Sequence, residues 1–354
     1  MPEQRRATRQ IRVGPVPVGG DASIAVQSMT NTKTSQVDAT VAQIQRLTAA
    51  GCEIVRVAVP DQSAAEAIAR IKARIQIPLI ADIHFDHRLA IAAARAGADG
   101  LRINPGNIGG RRNVQAVVAC AKDLGLPIRI GVNAGSLEKD LLAKHGGATP
   151  WAMVTSAFRH MTLLEDYGFD QIKISLKASD VARTVAAYRL LSKKTDYPLH
   201  VGVTEAGGLF PGIVKSALGI GMLLAEGIGD TIRVSLTRDP VEEVRVGYEI
   251  LRALNIRHRG PEIVSCPTCG RCDIDLFSVV EQVEEGLLGT TAPIRLAVMG
   301  CVVNGPGEAR EADLGIAGGQ GKGILFKKGR VIRKVPQEQL VEVLLEEVQK
   351  LIGS

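Results

Sequence analysis

From residue 24 onward the chain alternates between short runs rich in β-branched residues and longer stretches in which apolar positions recur at helical spacing. The strand-like runs are IAVQSM (24 to 29), EIVRVAV (53 to 59), PLIADI (78 to 83), GLRI (100 to 103), PIRIGV (127 to 132), QIKISLK (171 to 177), PLHVGVT (198 to 204) and TIRVSL (231 to 236), eight in all. Between them lie helix patterns with recognisable ends. DATVAQIQRLTAAG closes on Gly51, SAAEAIARIKARI starts after Asp61 as its cap, and GIVKSALGIGMLLAEG and PVEEVRVGYEILRALN flank the last strand. Eight strand-helix units over about 230 residues predict a closed (β/α)8 TIM barrel, whose usual size is roughly 250 residues. The alternative is an open doubly wound sheet, which usually carries a glycine-rich fingerprint after its first strand; QSMTNTKT has none.

Five of these strands carry an apolar-basic-apolar triplet: VRV (55 to 57), LRI (101 to 103), IRI (128 to 130), IKI (172 to 174) and IRV (232 to 234). Side chains alternate faces along a strand, so the flanking Val, Ile and Leu point outward to the helices while Arg56, Arg102, Arg129, Lys173 and Arg233 point into the lumen. Barrel lumens are ordinarily filled with branched apolar side chains. An acid such as Asp82 serves one of these cations, but together they exceed the acids on the same strands, and an unpaired buried charge is costly. A bound polyanion resolves the imbalance. Arginine's planar fork suits phosphate oxygens, so a phosphate or diphosphate ester at the barrel mouth is the expected ligand. The same parity turns Asp82, His84, Asn133, Lys177 and Ser235 toward that mouth, with Glu205 just past the seventh strand. Strand ends are where barrel enzymes place their chemistry. His200, mid-strand, reads at least as well as a satisfied core histidine, and the remaining histidines receive no role.

The pattern breaks after the last helix. NIRHRGPEIVSCP (255 to 267) mixes charge, glycine and proline as a domain junction does, which sets a barrel over 1–260 and a smaller α+β unit over 261–354 ending in the amphipathic QEQLVEVLLEEVQKLI. Cys266-Pro-Thr-Cys269 is a turn that aims two thiolates at one centre. Cys301 follows in GCVVNGPGE, where the turn chemistry of Asn304-Gly305-Pro306-Gly307 brings Glu308 back toward it. Three thiolates and a carboxylate then converge. Zinc accepts such a set, yet a structural zinc site usually takes its second pair from another CxxC or an HxxxH, and neither occurs. The C-x2-C-x2-C run through Cys272 also opens ferredoxin-type sequences. Spacing alone leaves both an iron-sulfur cluster and zinc open. GGQGKG (318 to 323) has no Ser or Thr after its lysine and reads as a connection between strands, while GNIGGRR (106 to 112) is a weak anion signal at a helix start.

Composition narrows the reading further. Six cysteines in 354 residues are too few for a secreted disulfide framework, and Cys52 and Cys120, each alone in an apolar segment, read as buried core thiols. No apolar run approaches the roughly 18 to 20 residues that span a bilayer, and the basic N-terminus lacks an apolar signal core, so a cytoplasmic protein is expected. A net charge of +6 permits nucleic acid or small anions; with aromatic residues at 3%, there is little for bases to stack on, which favours small anions.

Taken in order, QSMTNT, ADIHF, RINPGN, PIRIGVNAGSLE, KASD, TEAGG, RVSL, SCPTC and GCVVNGPGE resemble the bacterial 4-hydroxy-3-methylbut-2-enyl diphosphate synthase family of the methylerythritol phosphate route to isoprenoids. The likeness runs over almost the whole chain, in the shorter two-domain form. It implies a 4Fe-4S cluster on Cys266, Cys269, Cys301 and Glu308, with Cys272 a departure from the family's pattern and a bystander. It also implies two-electron reductive ring opening and dehydroxylation of 2-C-methyl-D-erythritol 2,4-cyclodiphosphate by an iron-sulfur oxidoreductase. Arg56, Arg102, Arg129, Lys177, Arg233 and Ser235 would hold the diphosphate, Glu205 would donate a proton, and Asp82, His84 and Asn133 would line the site. A head-to-tail homodimer and an external flavodoxin or ferredoxin complete the expectation, with no nucleic acid or membrane as partner. The rival is a non-redox barrel enzyme of the dihydropteroate synthase kind with a zinc module.

Overall fold

The computed structural model describes residues 5–301, 309–319 and 321–353. The chain divides into two compact units, one ending at Arg257 and the other starting at His258.

The first unit opens with a short antiparallel hairpin, β1 (Ile11–Val13) and β2 (Val16–Val18). Eight parallel strands follow: β3 (Ala25–Met29), β4 (Ile54–Ala58), β5 (Leu79–Asp82), β6 (Gly100–Ile103), β7 (Ile128–Asn133), β8 (Ile172–Lys177), β9 (His200–Val201) and β10 (Thr231–Ile232). Their order is β8-β7-β6-β5-β4-β3-β10-β9, and a parallel bridge from Ile174 to Leu199 brings the two ends together. This is the expected barrel. Its helices are α1 (Val37–Ala50), α2 (Gln62–Lys72), α3 (His87–Arg95), α4 (Arg111–Asp123), α5 (Lys139–His145), α6 (Pro150–Glu165), α7 (Val181–Ser192), α8 (Leu209–Ala225) and α9 (Pro240–Ala253). Local chemistry sets their ends as the sequence predicts: Gly51 takes a left-handed φ of 104° at the end of α1, and the Asp61 carboxylate accepts the Ala64 amide at 2.9 Å at the start of α2.

The alternating pattern of the strands is realised. Val55, Val57, Leu101, Ile103, Ile128, Ile130, Ile172, Ile174, Ile232 and Val234 are buried in one cluster with the helices, while the residues between them face inward. The sequence reading differs from the fold in four places. The last two strands, two residues each, are shorter than PLHVGVT and TIRVSL, and a β-carbon on Gly202 would collide with the Arg233 carbonyl, so the chains approach closely there. The hairpin was not foreseen because its strands are only three residues long; Ile11, Val13 and Val18 pack on Ala25, Ile54 and Ile80 and close the floor of the barrel. Cys120 is only half-buried, at the margin of the buried face of α4, whereas Cys52 is a core thiol pushed up to about 12 by burial. Finally, the stretch taken for a junction already contains a strand.

That strand, β11 (Glu262–Ser265), begins the second unit, which continues with α10 (Leu276–Gly286), β12 (Arg295–Met299), β13 (Leu314–Gly319), β14 (Lys322–Lys327), β15 (Arg330–Pro336) and α11 (Leu340–Ile352). The five strands form one sheet in chain order, parallel from β11 to β13 and antiparallel from there to β15. Of GGQGKG, Gly318 and Gly319 end β13 and pair with Gly323 and Lys322 at the start of β14, while Gln320 lies outside the described residues. The helices α10 and α11 cover the sheet through Val283, Leu340, Leu344 and Val348, all buried with Leu296, Val298 and Ile316.

Candidate active site

The carboxyl ends of the barrel strands enclose a cavity of about 210 Å³ lined by Met29, Arg56, Asp82, His84, Arg102, Arg129, Asn133, Ser175, Lys177, Thr204, Arg233 and Ser235. Most of the residues singled out from the barrel sequence therefore meet at one place. Glu205 does not line it. It is exposed, one residue beyond Thr204, and its φ of 52° is a left-handed conformation that a non-glycine residue adopts only under constraint. Lys173 lies below the cavity, 1% exposed and paired in register with Arg129, and His200 is buried with its Nδ1 2.8 Å from the Thr231 hydroxyl.

Asp82 organises the cationic wall. Its carboxylate lies 3.1 Å from Arg102 Nη1 and 3.4 Å from Arg56 Nε, and His84 Nε2 sits 3.6 Å away on the solvent side. Burial works to raise its pKa, but Arg56, the His84 hydrogen bond and Arg102 outweigh that and hold the carboxyl well below the usual range. Arg56 also directs Nη2 at the Met29 sulfur, 2.9 Å away. Two glycines make room for these long side chains. A β-carbon on Gly131 would strike the Arg102 guanidinium, and one on Gly202 would come 2.9 Å from Lys177 Nζ.

The acids do not balance the cations. Asp82 serves Arg56 and Arg102, and Glu243, reaching in from α9, lies 3.3 Å from Arg233. Arg129 Nε and Nη1 and Lys173 Nζ have no hydrogen-bond partner among the described residues. Burial, then the neighbouring arginines, push Arg129 and Lys177 well below their ordinary values; burial and Arg129 bring Lys173 to about 7. Arg129 and Lys177, which line the cavity, are held in a state that a bound anion would relieve.

The sequence reading missed Glu243, which also accepts from Ser28 Oγ at 3.1 Å and from the Leu236 amide at 3.0 Å. Nothing in a helix pattern marks an acid that passes between strands; the only available signal was the charge deficit itself. Met29, Ser175 and Thr204 were missed because small or neutral side chains leave no charge anomaly. His160, given no role, is buried with Nε2 3.2 Å from Glu138 Oε1, and its Cε1 lies 3.1 Å from where a Gly106 β-carbon would stand. These contacts pack the segment after β6 and the segment after β7 against α6.

In the second unit, β11 and β12 run parallel with Ser265 opposite Val298, so Cys266 and Cys301 emerge at the same end of the sheet. The Gly300 amide donates to Cys266 Sγ at 3.4 Å. Backbone N–H groups directed at soft cysteine sulfurs are the surroundings in which iron-sulfur clusters are held, so the donor chemistry fits such a group. Cys269 is exposed. Among the described residues no three ligating side chains surround one point, and Glu308 with its Asn304–Gly307 turn lies outside them.

Residues 8–248 match the GcpE TIM-barrel domain and residues 262–350 the GcpE protein C-terminal domain. The chain belongs to the GcpE family. GcpE relatives include the 4-hydroxy-3-methylbut-2-en-1-yl diphosphate synthase (flavodoxin) of Geobacter sulfurreducens, 63% identical with 98% of each chain covered. The synthase of the same name from Desulfotalea psychrophila is 62% identical over 98% of this chain and 96% of that one, and that of Lawsonia intracellularis 59% over 99% and 98%. GcpE membership thus bears out the oxidoreductase reading of isoprenoid biosynthesis, and the dihydropteroate synthase alternative gains no support from these relatives. No helix among the described residues is long and apolar enough to cross a membrane.

Proposed function

We propose that this chain catalyses the two-electron reductive ring opening and dehydroxylation of 2-C-methyl-D-erythritol 2,4-cyclodiphosphate to 4-hydroxy-3-methylbut-2-enyl diphosphate. The observation that carries the proposal is the surplus of buried cations at the barrel mouth, whose charge a diphosphate satisfies. Arg56, Arg102, Arg129, Lys177 and Arg233 hold the phosphoryl oxygens and Ser235 adds a hydroxyl donor. Asp82 bridges Arg56 and Arg102 and fixes their positions, and His84 and Asn133 border the reacting carbons. Glu205, on its constrained turn at the rim, delivers the proton with which the leaving hydroxyl departs as water.

We assign a 4Fe-4S cluster to Cys266, Cys269, Cys301 and Glu308; when bound, it supplies electrons one at a time. The relatives' names support flavodoxin as donor, with ferredoxin the other candidate. We further propose a cytoplasmic head-to-tail homodimer in which each cluster unit caps the partner's barrel and excludes water. Self-association is supported by a stripe of exposed apolar residues along α8, Phe210, Val214, Leu218 and Met222, at the spacing that puts them on one face.

An anaerobic assay of the cyclodiphosphate with a chemical reductant tests the activity. The fully iron-loaded protein turns over, and Glu205→Gln keeps its iron and its affinity for the substrate while kcat falls by roughly 10²–10⁴. Absence of turnover by the iron-loaded wild type overturns the proposal.

A further inference from the structure

SCPTCGRC holds one thiol more than the proposed ligand set uses, and the fold keeps that thiol close. After β11 the main chain turns so that the Cys272 amide donates to the Cys269 carbonyl at 2.9 Å and the Asp273 amide to the Gly300 carbonyl at 3.1 Å. Gly300 is thereby clasped between the two outer cysteines of the motif. Its own amide points at Cys266 Sγ, and a β-carbon added to it would collide with Cys272 Sγ and stand 3.6 Å from Cys266 Sγ. Both sulfurs are half-buried against the same apolar cluster, whereas Cys269, between them in sequence, is exposed. Cys272 Sγ has the Ile274 carbonyl, 3.3 Å away, as its hydrogen-bond acceptor.

We propose that Cys266 and Cys272 form a reversible disulfide in the cluster-free chain, locking one ligand of the cluster site. A small-molecule disulfide such as oxidised glutathione is the oxidant. One cysteine thiolate attacks it, releasing a glutathione thiolate and leaving a mixed disulfide; the second cysteine thiolate then displaces the remaining glutathione. Two protein thiols are oxidised, one glutathione disulfide is reduced to two thiols, and no other electron acceptor is needed. The bridged state shields Cys266 from the irreversible sulfinic and sulfonic stages and is reopened by a dithiol. The significance of the lock rests on Cys266 being a cluster ligand; the bridge itself does not.

Trypsin reads the pairing directly, because Arg271 stands between Cys269 and Cys272. Cleavage leaves Cys266 and Cys269 together in Gly260–Arg271, Cys272 in Cys272–Arg295 and Cys301 in Leu296–Arg310. The full chain, freed of iron by a chelator under reducing conditions, is treated anaerobically with oxidised glutathione, alkylated and digested without reduction. The expected product joins the first two peptides, with fragmentation placing the bond on Cys266, and it disappears in Cys272→Ser. A bridge confined to Gly260–Arg271, a link from Cys272 to Leu296–Arg310, or free thiols throughout overturns the proposal. In parallel, treated wild type takes up iron at least tenfold more slowly until a dithiol is added, and Cys272→Ser shows no such delay. Joined peptides with undiminished iron uptake uphold the bridge and overturn the assignment of Cys266 to the cluster.

Discussion

The barrel and the C-terminal unit assemble their chemistry in opposite ways. In the barrel, the candidate site is built mid-strand and at strand ends, with Arg56, Arg102 and Arg129 fixed by the hydrogen-bonded ladder and buried. In the C-terminal unit, the cysteines lie just beyond the last paired residues of β11 and β12, half-buried or exposed. The first arrangement carries its cost as unpaired charge; the second brings two cysteines to one end of a sheet without converging three ligating side chains among the described residues. Charge is also placed differently. Arg295 meets Glu262 and Glu311 at the surface, at 3.4 and 3.1 Å, where such pairs contribute little.

The largest test of this contrast is Asp82→Asn. It leaves Arg56 and Arg102 without their shared acid and should lower the stability of the barrel by about 3–5 kcal/mol, measured by urea denaturation. Cys266→Ala in the other unit should leave the barrel transition in place; equal shifts in both variants would mean that the two units do not hold their sites independently. Gly131→Ala comes next. Its methyl group displaces the Arg102 guanidinium at a cost of about 1–3 kcal/mol, and titration calorimetry with inorganic pyrophosphate should record roughly tenfold weaker binding.

Lys173→Met gives the sharpest sign. Lys173 titrates at about 7 in the folded chain, against roughly 10.4 when unfolded. Between those values the unfolded state binds more protons, so this residue makes stability rise with pH by at most about 1.4 kcal/mol per unit, and its full cost remains below the folded value. The variant should flatten that rise in denaturation curves taken from about pH 7 to 9.5 and leave KM unchanged, since Lys173 does not line the cavity. An unaltered pH dependence would show that the lysine's charge is already compensated.

How much of this was legible in the sequence follows from the same contrast. Parity along a strand is strict, so one triplet such as IRI was enough to aim Arg129 inward, and a charge in that position is conspicuous. Glu243 was illegible because its role depends on which gap between strands α9 faces, a tertiary fact. Glu205 was expected just past a strand running to Thr204, but β9 ends at Val201 and Glu205 lies exposed four residues beyond it, out of reach of an alternation rule. In the C-terminal unit the spacing named the thiols without saying which of them would share a neighbour; Gly300, which decides that, gave no signal of its own.

The hairpin under the barrel has a kinetic consequence. Ile11, Val13 and Val18 stopper the amino end of the barrel, so the described cavity is approached from the carboxyl ends of the strands. A product that keeps its diphosphate contends with the incoming molecule for the same guanidinium groups at that mouth, and its accumulation should slow turnover competitively.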